Sequence, residues 1–291
     1  MKNILVPKWV ADIQQRPLKI TDCSPQDLLL LRQKLLKLSS TSPLVSVVIP
    51  AWNEENTILH TLISLAHTNT SYEVELIVID NNSTDGTSAL LKQLGITTFL
   101  ETKQGIGHAR NCGLLKAKGT YLLSADSDTL YPEGWISTLT KALIDGDAKK
   151  LHCVHGTYSF LPGKNTPRWQ YALYELMSGI VIKKQEKTHP FLNVLGFNCG
   201  ILRLNGIAVD GYALQEQRTF RGEAGILSNA ATEDGMMALR LKEAGGAIQA
   251  VNNHNARVWT SDRRIEIDGG IKRAFWLRIQ KHLFKKRQQQ Q

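Results

Sequence analysis

From Leu44 onward, short apolar runs rich in β-branched residues alternate with longer amphipathic stretches, and this alternation is the main structural signal of the chain. Val45–Pro50, Val74–Ile79, Ile96–Leu100 and Tyr121–Ala125 read as buried strands. Between them lie three predicted helices, ending near Ala66, at Leu94 and at Ala117. Strands separated by helices imply parallel pairing, so the expected fold class is α/β, with a mostly parallel central sheet flanked by helices. Further on, Trp135–Ile144 reads as a helix and Leu151–Tyr158 as a fifth strand. Pro167–Ile182 reads as a helix whose Trp169, Tyr171, Tyr174 and Met177 are mostly core. Asn198–Arg203 is another apolar segment, and a loop-like stretch then runs to Asn229. A helix opens at Thr232-Glu233-Asp234 and stops at Gly245-Gly246. Residues 1–43 form an N-terminal helical extension. There Ser24 caps, Pro25 occupies the first helical position, Leu28–Leu38 is the Leu-rich body, and the expected role is packing on the main domain, with a dimer contact as the alternative.

The fourth strand ends in Asp126-Ser127-Asp128. Side chains at i and i+2 of an extended segment share a face, so both carboxylates can reach one hard cation. Spacing alone is weak, because Asp145-Gly146-Asp147 has the same pattern at the end of a predicted helix, where it reads as a turn. Position adds weight: in open α/β sheets ligands bind outside the carboxyl ends of strands, and Asp80 ends the second strand as Asp126 ends the fourth. Asn81, Asn82, Ser83 and Thr84 read as caps and turn residues. Gly105-Ile106-Gly107 brings backbone close to a ligand, but Arg110 stands where a dinucleotide fingerprint has its third glycine, which disfavours a Rossmann dehydrogenase. Arg110, one turn into its helix, can face a base or a phosphate, or form a salt bridge. His152, Cys153 and His155 do not share one face and read as part of a strand. Glu233 and Asp234 suit a first helical turn through the helix dipole alone.

The 291 residues are 42% hydrophobic and 21% charged, and no apolar run approaches the roughly 20 residues of a spanning helix. The N-terminus lacks a signal-peptide core, so the expected location is cytoplasmic. Cys23, Cys112, Cys153 and Cys199 make no Cys-x-x-Cys pair and suggest neither zinc nor disulfides. Of the net charge of +9, seven come from Lys272, Arg273, Arg278, Lys281, Lys285, Lys286 and Arg287, beyond the last acid, Asp268. The body is nearly neutral, which argues against nucleic acid as a partner. Ile271, Phe275, Ile279 and Leu283 recur at four-residue steps, so residues 266–291 read as a basic amphipathic C-terminal helix and tail. That helix either packs on the domain or makes peripheral contact with an anionic membrane at the inner face of the cell membrane.

Taken together, these segments resemble the inverting glycosyltransferases of family 2, which have the GT-A fold. The likeness runs from Val45 to about Arg264 through five segments in the family's order. They are Val47–Glu55, Ile77–Thr87, Gly105–Asn111, Asp126–Asp128 and Thr232–Asp234, with Asn81 and Asn82 replacing an Asp and a Gly of the family pattern. The resemblance implies a single GT-A-type domain over residues 44–265. Its nucleotide-sugar-binding half is 44–130 and its acceptor and catalytic-base half is 131–265. It further implies that Ala51, Glu54, Asp80 and Arg110, with Pro50, Gly105 and Asp126 beside them, border the nucleotide sugar. Asp128, helped by Asp126, would hold Mg²⁺ or Mn²⁺ on the donor's diphosphate. Asp234 would be the catalytic base, and Arg263 or Arg264 would contact the diphosphate. The implied reaction moves a sugar from a nucleotide-diphospho-sugar to the hydroxyl of a glycan or lipid-linked acceptor, with inversion, in cell-surface polysaccharide, glycolipid or related glycan biosynthesis. Two alternatives stand beside it. One is a non-catalytic nucleotide- or glycan-binding module of the same fold. The other is a sugar nucleotidyltransferase, against which Ala51-Trp52-Asn53-Glu54 counts, since it is not a Gly-rich basic loop.

Overall fold

The computed structural model describes residues 6–146, 150–163, 166–212, 232–267, 269–271 and 273. Asp147, the stretch 213–231 and most of the expected C-terminal helix therefore lie outside the described residues.

Four buried runs form the parallel part of the sheet: β1 (Val45–Ala51), β2 (Val74–Asp80), β3 (Thr97–Leu100) and β4 (Tyr121–Ser124). Every residue of β1 and β2 is buried, as expected for strands covered on both faces. The crossovers are α3 (Ile58–Ala66), α4 (Thr87–Leu94) and α5 (Ile106–Lys116). Helix α5 lies so close to the sheet that a Cβ at Gly113 would sit 2.2 Å from Val48 Cγ1. After β5 (Thr129–Leu130) and α6 (Trp135–Gly146), the chain adds β6 (Leu151–His155), β7 (Thr157–Phe160), α7 (Arg168–Thr188), β8 (Cys199–Leu202), α8 (Arg203–Ala208), α9 (Glu233–Glu243), β9 (Ala247–Ala250), β10 (Arg257–Thr260) and α10 (Arg263–Ile267).

The seven-stranded sheet has the order β3-β2-β1-β4-β8-β6-β9, with β8 antiparallel to both β4 and β6. A second sheet of three strands has the order β5-β10-β7. The run expected as one strand over Leu151–Tyr158 is in fact two strands in different sheets. It turns at Gly156, where a Cβ would meet Ala256 O at 2.1 Å and Asn198 Nδ2 at 2.5 Å. A second difference concerns α7, which is longer than expected and leaves Trp169 and Met177 exposed, while Tyr171 is buried.

Ahead of the main domain, α1 (Lys8–Gln14) and α2 (Pro25–Leu36) pack on it. Ser24 Oγ accepts the Asp27 N–H at 3.1 Å, capping α2. Leu31 and Leu35 of α2 join the main hydrophobic core, and Val10 and Ile13 of α1 cluster with Leu130 and Trp259.

Candidate active site

The carboxyl ends of β1, β2 and β4 point to one edge of the sheet. Asp80 is the last residue of β2, buried, and its Oδ1 accepts the Ser83 N–H at 3.0 Å. Ala51 pairs with Asp80 across the ladder, and Pro50 pairs with Ile79. Just beyond β1, Glu54 is buried and donates its N–H to Thr87 Oγ1 at 2.8 Å. Its carboxylate accepts hydrogen bonds from Thr57 Oγ1 and, at 2.8 Å, from Arg263 Nη1. Burial raises the Glu54 pKa; Thr57 and Arg263 pull it the other way.

Asn81 explains its own departure from the family pattern. Its Nδ2 donates to the carbonyls of Glu101 and Lys103 at 2.9 and 2.8 Å, and its Oδ1 accepts the Gly105 N–H at 2.8 Å. Only an amide can both donate and accept here; a carboxylate would face two carbonyl oxygens. The side chain fixes Gly105, which has φ +138° and opens α5.

Arg110 is the hub. Its guanidinium is enclosed and donates to Gly196 O at 2.9 Å, to Asp126 Oδ1 at 2.8 Å and to Ser124 Oγ. Its Nε lies 3.2 Å from Asp234 Oδ1, close enough for ion pairing but not aligned as a hydrogen bond. One cation thus serves carboxylates from the end of β4 and the start of α9. Asp234 is buried in the first turn of α9, behind the Thr232 cap, whose Oγ1 accepts the Gly235 N–H at 3.2 Å. Burial pushes the Asp234 carboxyl up to about 6, and Glu233 and Asp126 add to the rise; Arg110 opposes it without cancelling it.

Asp128 is held from the C-terminal side. Ser261 Oγ donates to its Oδ2 at 2.6 Å, Ser261 N–H donates to its carbonyl at 3.2 Å, and Arg263 Nη2 lies 3.2 Å from Oδ2. Arg263 therefore bridges Glu54 and Asp128. Among the described residues, no three or more His, Cys, Asp or Glu side chains converge into a metal cage. A hard divalent cation that also takes phosphate oxygens and water needs only one or two protein carboxylates. Asp126 stands two residues past the end of β4 and Asp128 lies in the turn that follows, not in the extended chain expected of them; both are oxygen donors on one short segment, with Arg110 on Asp126 and Arg263 beside Asp128, and their chemistry fits such an ion.

The edge thus gathers Pro50, Ala51, Glu54, Asp80, Gly105, Arg110, Asp126, Asp128, Asp234 and Arg263. Arg264 follows Arg263 in α10, and its side chain lies outside the described residues. His152 and His155 sit on β6; His155 is buried, 3.3 Å from Glu186. Three contributors escaped the sequence reading. Gly196 packs on the Arg110–Asp234 pair, so that a Cβ there would lie 2.2 Å from Arg110 Cζ and 2.4 Å from Asp234 Oδ1. Ser261 supports Asp128. Tyr131 accepts the Asp126 N–H at 2.8 Å and donates to Phe197 O at 3.0 Å. None carries a signal in a single sequence, since a glycine, a serine and a tyrosine in loops are ordinary.

A mostly parallel α/β sheet that collects carboxylates at and just beyond the ends of its strands belongs to the open-sheet class that takes ligands at that edge. The family model for glycosyl transferase family 2 matches residues 46–204, more than half of the chain, and the chain belongs to that family. Among curated proteins it is 35% identical over 102 residues to the uncharacterized glycosyltransferase YfnE of Bacillus subtilis, covering 33% of this chain and 26% of YfnE. It is also 35% identical over 99 residues to the UDP-Glc:alpha-D-GlcNAc-diphosphoundecaprenol beta-1,3-glucosyltransferase WfaP of Escherichia coli, covering 33% of this chain and 38% of WfaP. The matched part thus spans less than half of either relative. Among solved structures, S. aureus TarS 1-349 in complex with UDP-GlcNAc superposes with TM-score 0.54 at 19% identity, over 75% of this chain and 58% of TarS. The mannosyltransferase PcManGT from Pyrobaculum calidifontis, in complex with GDP-Man and Mn²⁺, superposes with TM-score 0.52 at 19% identity, over 86% and 62%. The fold is that of these GT-A glycosyltransferases.

Proposed function

We propose that this chain is a metal-assisted, inverting glycosyltransferase that moves a sugar from a nucleotide-diphospho-sugar to an acceptor hydroxyl. The observation that carries the reading is Arg110, one enclosed guanidinium joining Asp126 at the diphosphate end to Asp234 at the acceptor end. Pro50, Ala51, Glu54 and Asp80 form the wall against the nucleoside, with Gly105 bringing backbone alongside. Asp126 and Asp128 would hold Mg²⁺ or Mn²⁺, which when bound supplies Lewis-acid stabilisation to the charge that develops on the diphosphate. Arg263 offers a guanidinium to the same oxygens once it turns from Glu54 and Asp128. Asp234 takes the proton of the attacking hydroxyl, for which a carboxylate tuned toward neutrality is suited. Arg110, enclosed between the two carboxylates, positions Asp234 and Asp126 relative to each other instead of facing the nucleoside. Direct attack opposite the leaving diphosphate inverts the anomeric carbon and needs no covalent nucleophile.

TarS with UDP-GlcNAc and PcManGT with GDP-Man and Mn²⁺ support a nucleotide-sugar donor and a divalent ion. WfaP, whose acceptor is a sugar diphosphate on undecaprenol, supports a glycan or lipid-linked acceptor in cell-surface polysaccharide, glycolipid or related glycan assembly. The test is calorimetric titration of nucleotide sugars with and without Mn²⁺, in the wild type and in Asp234→Asn. Ion-dependent donor binding retained in the variant, with turnover lost, is expected; full turnover in Asp234→Asn would remove Asp234 from the base role.

A further inference from the structure

The outward face of α7 is apolar where a solvent-facing helical stripe is ordinarily polar. Trp169, Leu173, Leu176, Met177 and Ile180 are all exposed, Leu176 and Ile180 at 72% each. Their steps of four, three, one and three residues put them on one face. That face continues with Lys183, Lys184 and Lys187, also exposed. The two acids of the helix point the other way and are engaged. Glu175 accepts from Arg168 Nη2 at 2.7 Å and from the Phe160 N–H at 2.8 Å, and Glu186 accepts from Asn193 Nδ2 at 2.8 Å. The stripe therefore offers aliphatic side chains, an indole at one end, three ammonium groups at the other, and no carboxylate.

We propose that α7 seats this protein on an anionic lipid bilayer, its axis in the membrane plane, with the apolar residues among the acyl chains and the lysines on the headgroup phosphates. The charge pattern selects this occupant. A bilayer rich in acidic lipids supplies both hydrocarbon and negative charge, and each lysine near such a surface tightens binding roughly fivefold. A second copy of the same face would bring more lysines and no acid to meet them. The inner face of the first turns of α7 is fastened to the segment that carries Ser261 and Arg263, since Tyr171 Oη donates to Asp262 and the Arg168 guanidinium lies 5.0 Å from the Trp259 ring centroid. The seated helix is thus one layer away from the candidate active site. The inference stands whether or not the transfer reading does.

Flotation of the full chain with vesicles of equimolar phosphatidylcholine and phosphatidylglycerol, against phosphatidylcholine alone, tests it. Two variants accompany the wild type, Leu173→Gln/Leu176→Gln/Ile180→Gln and Lys183→Glu/Lys184→Glu/Lys187→Glu. All six side chains face solvent, so circular dichroism and melting should be unchanged. The expected result is binding of the wild type to the acidic vesicles, with each triple variant at least about tenfold weaker. Absence of wild-type binding would overturn the proposal. So would unaltered binding in both variants, which would assign the contact to another surface such as the basic residues after Asp268. A wild-type dimer by light scattering that the glutamine variant converts to monomer would equally overturn it, because a second copy would then cover the stripe.

Discussion

Asp234 and Arg110 set the pH behaviour of the candidate site. The carboxyl of Asp234 faces Arg110 from α5, Asp126 beyond β4 and its own neighbour Glu233, and burial holds it up at about 6. A base must be ionised to accept a proton, so kcat/KM should rise through about pH 6 and level off above it; a profile flat from pH 5 to 8 would contradict the assignment. The stability consequence has the opposite sense. With a folded pKa above the usual carboxylate value near 4, the native state holds a proton that the unfolded chain has released, so this group's contribution declines as pH rises from about 4 to about 6 and is constant above. Gly196→Ala should cost on the order of 100-fold in turnover while the protein stays folded, because its Cβ would displace Arg110 or Asp234 by a fraction of their spacing. Arg263 occupies Asp128 and Glu54 directly, so Arg263→Ala should bind Mn²⁺ alone more tightly and the nucleotide sugar more weakly, both readable by calorimetry. Loss of both affinities would contradict the bridging role.

Legibility at the level of elements followed burial. The runs that became β1, β2 and β4 are mostly apolar and buried, and such stretches announce themselves in sequence, as do Asp80 at the end of β2 and Asp126 two residues past β4. The short strands were not legible: β5 has two residues and β10 four, and what makes them strands is the pairing of Leu130 with Trp259 and of Thr129 with Thr260, partners far apart along the chain. Trp169 and Met177 of α7, expected in the core, are exposed for a related reason, since periodicity finds an apolar face without saying whether anything packs on it. Asn81 is the element-scale counterpart, a side chain that ties the end of β2 to the start of α5. Asn81→Asp should lower stability by about 1–3 kcal/mol, measured as a lower denaturant midpoint, because two carbonyls lose their donor and face a charge.

For the molecule as a whole, the site is made of residues far apart along the chain, from Pro50 to Arg263, and the large sheet interleaves its early and late strands, with β8 inserted beside β4. Asp128 lies next to Thr129–Leu130, the two-residue strand on which β10 closes and against which Val10 and Ile13 of α1 pack. Val10 is completely buried in that cluster. Val10→Asp should therefore weaken nucleotide-sugar binding in the presence of Mn²⁺, although α1 contributes no residue to the candidate site; unchanged affinity in a folded variant would show Asp128 to be held by other contacts. The same closure sets an order in time. A chain leaving the ribosome presents α1 before β5 and β10 well after both, and Leu130 has its full packing only when all three have arrived. Until β10 arrives, then, Asp128 stays on an unfinished wall, and a chain cut short before Arg257 would carry Asp128 and Glu54 without Ser261 and Arg263 to hold them.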